Sequence, residues 1–180
     1  MTMRYEPLPR ELFIKNRKKL SERLLPDSIT VIHSNDTMPT NADGVMPFKQ
    51  NSDLIYLSGI DQEESILLLF PNAINETQRE ILFIKETNEH IAIWEGHKLT
   101  KTAASQVSAV ANIQWLDSFD SIFHALVQQA EIIYLSTNEH SRADTSVETR
   151  NDRFIKKCQI AYPLHQYSRL APHLSQLRSI

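Results

Sequence analysis

The six residues Ser65-Ile66-Leu67-Leu68-Leu69-Phe70 constrain the fold more than any other stretch of the chain. The last five are all large and apolar, so an extended backbone here presents hydrophobic side chains to both faces of a sheet. Only a central strand covered from both sides satisfies that requirement, which points to a layered α/β domain. Short apolar or β-branched runs at 29–33, 54–57, 80–85, 91–94, 113–116 and 132–135 read as further strands, each bounded by turn-forming residues. Stretches at 9–25, 100–110, 118–129 and 145–161 read as helices, and the third carries Phe119, Ile122, Phe123, Leu126 and Val127 as a helical stripe. The expected architecture is one α/β domain over residues 1–180, a mixed sheet of about six strands flanked by helices on both faces.

Composition narrows the chemistry. The 180 residues are 41% hydrophobic and 23% charged, with 19 Lys plus Arg against 22 Asp plus Glu, so nothing global draws the chain to nucleic acid or to an anionic membrane. Three glycines, none close to another, exclude GxGxxG and Walker-type phosphate loops. The single cysteine, Cys158, forms neither an internal disulfide nor a Cys-based metal site, and no stretch reaches the roughly 18 apolar residues of a membrane span. A cytoplasmic location is expected.

The search for a self-contained active site fails. None of the seven histidines has a His or Cys partner at ligand spacing, and His90 and His97 read as exposed loop residues. Ser58 lacks a GxSxG elbow, and Cys158 on the apolar face of a helix reads as a core residue. The run Arg17-Lys18-Lys19 reads as a solvated helix face and Asp61 to Glu64 as a polar turn. No cofactor is expected in this chain.

The longest patterned stretch is Asn41-Ala42-Asp43-Gly44-Val45-Met46-Pro47-Phe48-Lys49-Gln50-Asn51-Ser52-Asp53-Leu54-Ile55-Tyr56-Leu57-Ser58-Gly59. It resembles the D…Y-x-(F/Y)-R-Q-N-S-D-F-x-Y-(L/F)-T-G segment of the aminopeptidase P amino-terminal domain, from the Xaa-Pro aminopeptidases among the creatinase/prolidase-type pita-bread metallopeptidases. Residues 13–20 are similar to the family's F-x-x-R-R-x-x-L helix, and 94–99 to its W-x-G-x-(R/K)-L. Residues 171–180 resemble the stretch that leads into L-R-x-I-K-S-x-x-E-I, where the catalytic domain begins. Lys49, Leu54, Met46 and Ser58 depart from the pattern but largely keep size or polarity.

The resemblance implies a division of labour. The family's five metal ligands lie in the later domain, expected after residue 180, where two divalent ions, with manganese the expected metal, activate a water for attack on the bond before a penultimate proline. The amino-terminal domain is implied to be non-catalytic: it packs on its own catalytic domain, helps wall the cleft so that only short amino termini of the proline-containing peptide substrate enter, and supplies homo-oligomer contacts. Trp94 and Asp43 match positions facing the cleft or a subunit contact. Trp94 reads equally as a strand-end core aromatic, and Asp43 as a loop-capping carboxylate. The alternative is a protein-interaction module of a pseudo-peptidase with the same architecture, in which the downstream ligands Asp, Asp, His, Glu and Glu are missing. Either reading expects an exposed apolar or mixed patch on this domain.

Overall fold

Leu67 and Leu69 face one side of the sheet while Ile66, Leu68 and Phe70 face the other, and none of the five is more than 5% exposed. In the computed structural model, which describes residues 8–88, 90, 96–143 and 146–179, these residues form and extend β2 (Ile66–Leu69). The other strands are β1 (Ser28–His33), β3 (Glu80–Ile84), β4 (Asn112–Trp115), β5 (Ile132–Leu135) and β6 (Gln166–Arg169). They make a six-stranded sheet in the order β4-β3-β2-β1-β5-β6. β2 is antiparallel to both neighbours, with Val31 opposite Leu68 and Leu68 opposite Ile81, whereas β1 with β5, β5 with β6 and β3 with β4 are parallel. The sheet is therefore mixed, as expected, and its apolar central strand is covered on both faces.

Each face is covered by helices. On one side α1 (Arg10–Ser21), α2 (Ser52–Ser58), α3 (Lys101–Ser108) and α6 (Ala171–Arg178) bury Leu20, Leu54, Leu57, Ala104, Leu174 and Leu177 against Ile32, Leu67 and Leu82. On the other, α4 (Phe119–Val127) and α5 (Arg150–Ala161) place Phe119, Phe123, Leu126, Phe154 and Cys158 on Val31, Leu68 and Phe83. The Phe119 stripe and the core position of Cys158 are as the spacing predicts, and burial pushes the Cys158 thiol up to about 12.

Four readings of the sequence need correction or extension. Residues 54–57 are helix, not strand: the Asn51 side chain accepts from the backbone N–H of Asp53, opening α2, and Gly59 at φ 71° closes it. Arg17 does not belong to a solvated face, because its side chain is 1% exposed. The last long helix starts at Arg150 rather than 145, since Thr149 and Asp152 form a reciprocal capping box there. Finally, β6 and α6 are elements the hydrophobic pattern did not reveal. The strand expected at 91–94 lies outside the described residues.

Candidate functional site

The patterned segment 41–59 leaves the carboxyl end of β1 as a polar loop and enters α2, and its polar side chains are spent on local architecture. Gln50 is 4% exposed. Its Oε1 accepts from the N–H groups of Asn51 at 2.7 Å and Asn35 at 3.3 Å, and its Nε2 donates to the Gln62 carbonyl at 2.7 Å. Gln62 in turn accepts from the N–H of Leu99 at 2.7 Å, and Glu63 pairs with Lys98. Burial raises the Glu63 carboxyl, but hydrogen bonding from Lys98 and the Lys98 and Lys85 charges outweigh it and hold the group below the usual carboxylate range. The segment that follows position 94 is thus tied to the segment that contains position 50. Asp61 to Glu64 is a polar turn with this tying role.

The other two patterned stretches also meet α2. Asn16 donates to the Tyr56 carbonyl at 2.8 Å, and Arg17 donates from Nη1 to the carbonyls of Leu57 and Ser108, both at 2.9 Å, and from Nε to Glu80 at 2.8 Å. At the far end of the chain Arg178 lies 2.7 Å from Asp53, and Tyr56 donates its hydroxyl to the Leu177 carbonyl at 3.4 Å. Burial pushes the Asp53 carboxyl up while Arg178 opposes the shift. Sequence reasoning missed Gln62 and Arg17. The signal for Arg17 was present, because 13, 17, 20 and 24 continue a single helical stripe.

Asp43 stands on a hairpin-like turn. Thr40 and Gly44 pair through the backbone at 2.8 Å, Met46 donates to Met38 at 2.8 Å, and Ala42 sits at φ 52°. Asp43 is exposed at the tip, and Met38, Val45 and Met46 beside it are 42%, 61% and 51% exposed. The turn thus presents an acidic tip on an exposed apolar ribbon. Trp94 lies outside the described residues, so the two candidates are not brought together by the described geometry. Described residues that follow it begin at Gly96, at φ 79°, and His97 is exposed as expected.

Among the described residues no group of three or more His, Cys, Asp and Glu side chains is arranged to hold a metal ion. His33 is the one buried histidine among the described residues, and burial, with the Arg150 charge next, lowers its imidazole to about 3, so the ring is neutral. It packs against Phe154 with ring centroids 4.6 Å apart. Among the described residues no helix is long and apolar enough to cross a membrane.

Comparison with known proteins places this architecture. The family described as the N-terminal domain of aminopeptidase P matches residues 13–134. The Xaa-Pro aminopeptidase of Escherichia coli is 24% identical over 149 residues, which cover 83% of this chain and 34% of that protein. The Xaa-Pro aminopeptidase of Haemophilus influenzae is 24% identical over 140 residues, 78% of this chain and 32% of its own length. The chain thus spans about a third of the length of these curated relatives. Among solved structures, a Bacillus anthracis protein assigned as an aminopeptidase P superposes with a TM-score of 0.83 at 25% identity, covering 95% of this chain and 40% of its own. The mixed six-stranded sheet, its two helical layers and the match over most of its length establish that the chain belongs to the aminopeptidase P N-terminal domain family.

Proposed function

We propose that this chain is the non-catalytic amino-terminal domain of an Xaa-Pro aminopeptidase, a hydrolase that removes the residue before a penultimate proline. The observation that carries the reading is the family match over residues 13–134 in a chain spanning a third of the peptidases it resembles. Catalysis and its divalent metal ions, with manganese the expected metal, belong in this reading to a domain outside these residues, in a cytoplasmic enzyme that assembles as a homo-oligomer. The contribution of this chain is shape. The exposed Asp43 turn with its apolar flanks, and Trp94, line the cleft or a subunit contact and select proline-containing peptides by length.

The test uses the full-length protein with Trp94→Ala and Asp43→Ala. The expected result is a loss of about tenfold in kcat/KM on longer peptides, the loss expected of a single missing aromatic contact. Metal content and melting temperature stay unchanged. A large drop in Tm for Trp94→Ala with an unaltered length profile makes Trp94 a core residue and overturns its cleft role. Absence of Xaa-Pro cleavage by the wild-type full-length protein moves the reading to an interaction module of a pseudo-peptidase.

A further inference from the structure

The ribbon that carries Asp43 runs from β1 to α2, whose helical layer covers one face of the sheet, yet its first residues are held by α5 from the layer on the other face. Asn35 closes the base of the ribbon, donating from Nδ2 to the Lys49 carbonyl at 3.0 Å and from its backbone N–H to Gln50 Oε1 at 3.3 Å. One residue further out, Asp36 Oδ1 accepts from Arg153 Nη2 at 2.6 Å and lies 3.5 Å from Arg150 Nε. Both arginines stand at the start of α5, three residues apart and so on one side of the helix. Each is held by a second bond, since Arg150 donates from Nη1 to the buried Ser34 hydroxyl at 3.0 Å and Arg153 from Nη1 to the Glu148 carbonyl at 3.2 Å.

Beyond Asp36 the described contacts of the ribbon are its own. The amides of Thr40 and Met46 donate to Gly44 and Met38, and Pro39 pairs with Val45. A two-stranded ribbon with exposed side chains is weak by itself and pivots about its base unless a second contact fixes its angle. Two contacts at the base are available, and they differ in kind. Gln50 is buried and neutral, whereas the Asp36 and Arg153 side chains are 24% and 48% exposed and charged, so their attraction is screened by salt.

We propose that Asp36 is a positioning residue: with Arg150 and Arg153 it clasps the ribbon to α5 and sets where Asp43 stands on the domain. The consequence for peptide selection rests on the proposed reading of Asp43 as a cleft or subunit-contact residue. Acting through the ribbon, Asp36 then affects the binding of longer peptides and leaves the chemical step alone.

The experiment compares the full-length wild-type protein with Asp36→Asn, Arg153→Gln and Lys157→Gln. The last of these breaks the exposed pair with Asp120 on the same helix and serves as the control. Amide exchange is followed over residues 37–46, where Thr40, Gly44 and Met46 carry the paired N–H groups. The expected result is exchange about fivefold faster in Asp36→Asn, a smaller acceleration in the same direction in Arg153→Gln, and no change in Lys157→Gln. Wild-type exchange should also quicken between roughly 0.01 M and roughly 1 M salt, as the Debye length falls from about 30 to about 3 Å, and Asp36→Asn should lose that response. In peptidase assays KM for longer peptides should rise about threefold in Asp36→Asn, with kcat and the kinetics of the shortest substrate unchanged. Unaltered exchange over 37–46 in Asp36→Asn overturns the proposal, as does an equal acceleration in Lys157→Gln, which would mark general loosening of α5. Faster, salt-insensitive exchange in Asp36→Asn with an unchanged length profile leaves the clasp standing and sinks the cleft role of Asp43.

Discussion

Arg17 is buried among carbonyls at the ends of two helices. Its Nη1 reaches Leu57 and Ser108, in the last turns of α2 and α3, where unpaired carbonyls concentrate the negative end of each helix dipole. Glu80 supplies the compensating charge from the start of β3. Replacing Arg17 by Met strands both carbonyls, so we expect a loss of about 3–5 kcal/mol in urea unfolding. Arg17→Lys recovers little, because a single ammonium cannot span three acceptors in a fixed fork. Glu80→Gln, at a carboxylate 36% exposed, costs ~1 kcal/mol or less. His33 gives a pH dependence. Its imidazole is lowered from 6.5 to about 3 by burial first and by Arg150 next. Between those values the unfolded chain binds a proton that the folded chain refuses, so stability is complete above pH 6.5 and is lost as the pH falls towards 3. The drop is roughly 4–5 kcal/mol at about 1.4 per pH unit, and His33→Leu should shift the acid-unfolding midpoint downward. An unchanged midpoint would show that other groups control acid unfolding.

At the scale of the element, α2 concentrates what the sequence discloses and what it conceals. Leu54-Ile55-Tyr56-Leu57 is short and apolar, and periodicity cannot separate a buried strand from one face of a two-turn helix in so few residues. The decision lies in the flanks, where Asn51 caps and Gly59 adopts the left-handed region. A Cβ at position 59 would both strain that conformation and overlap the Phe13 ring. Gly59→Ala is therefore expected to cost about 2–4 kcal/mol, backbone strain and overpacking combined, against about 1 kcal/mol for Asn51→Ala. If thermal melts rank the two variants in the opposite order, the cap and not the glycine sets this element. β6 was illegible for the complementary reason. Among the described residues Gln166-Tyr167-Ser168-Arg169 pairs on one side only, with β5, and its side chains are exposed or half-buried, so no apolar alternation was needed. Long interior strands and the Phe119 helix were legible because burial dictates their composition. The candidate site was legible only as a family pattern, since the roles of Gln50, Gln62 and Arg17 depend on partners far along the chain.

For the whole molecule, one sheet carries both cores: β1, β2 and β3 each send alternate side chains to the two helical layers, so neither layer has a separate strand set. Such a body folds as a unit and positions loops rigidly, which suits a domain that shapes a cleft. Among the described residues no carboxylate, imidazole and thiolate groups are gathered for a metal, and metal binding is linked to stability. A site loaded at a hundred times its Kd adds about 2.7 kcal/mol, which for a chain of this size raises Tm by roughly 5–10 °C. We therefore expect residues 1–180 to show the same melting temperature with and without excess manganese or zinc, and no release of the first residue from an Xaa-Pro peptide in either condition. A metal-dependent rise of that size would place a site within the chain, and turnover that survives repeated purification would make this domain catalytic. Both measurements are needed, because turnover that is lost on repeated purification points to a trace peptidase, whereas a shifted Tm without turnover points to a structural ion.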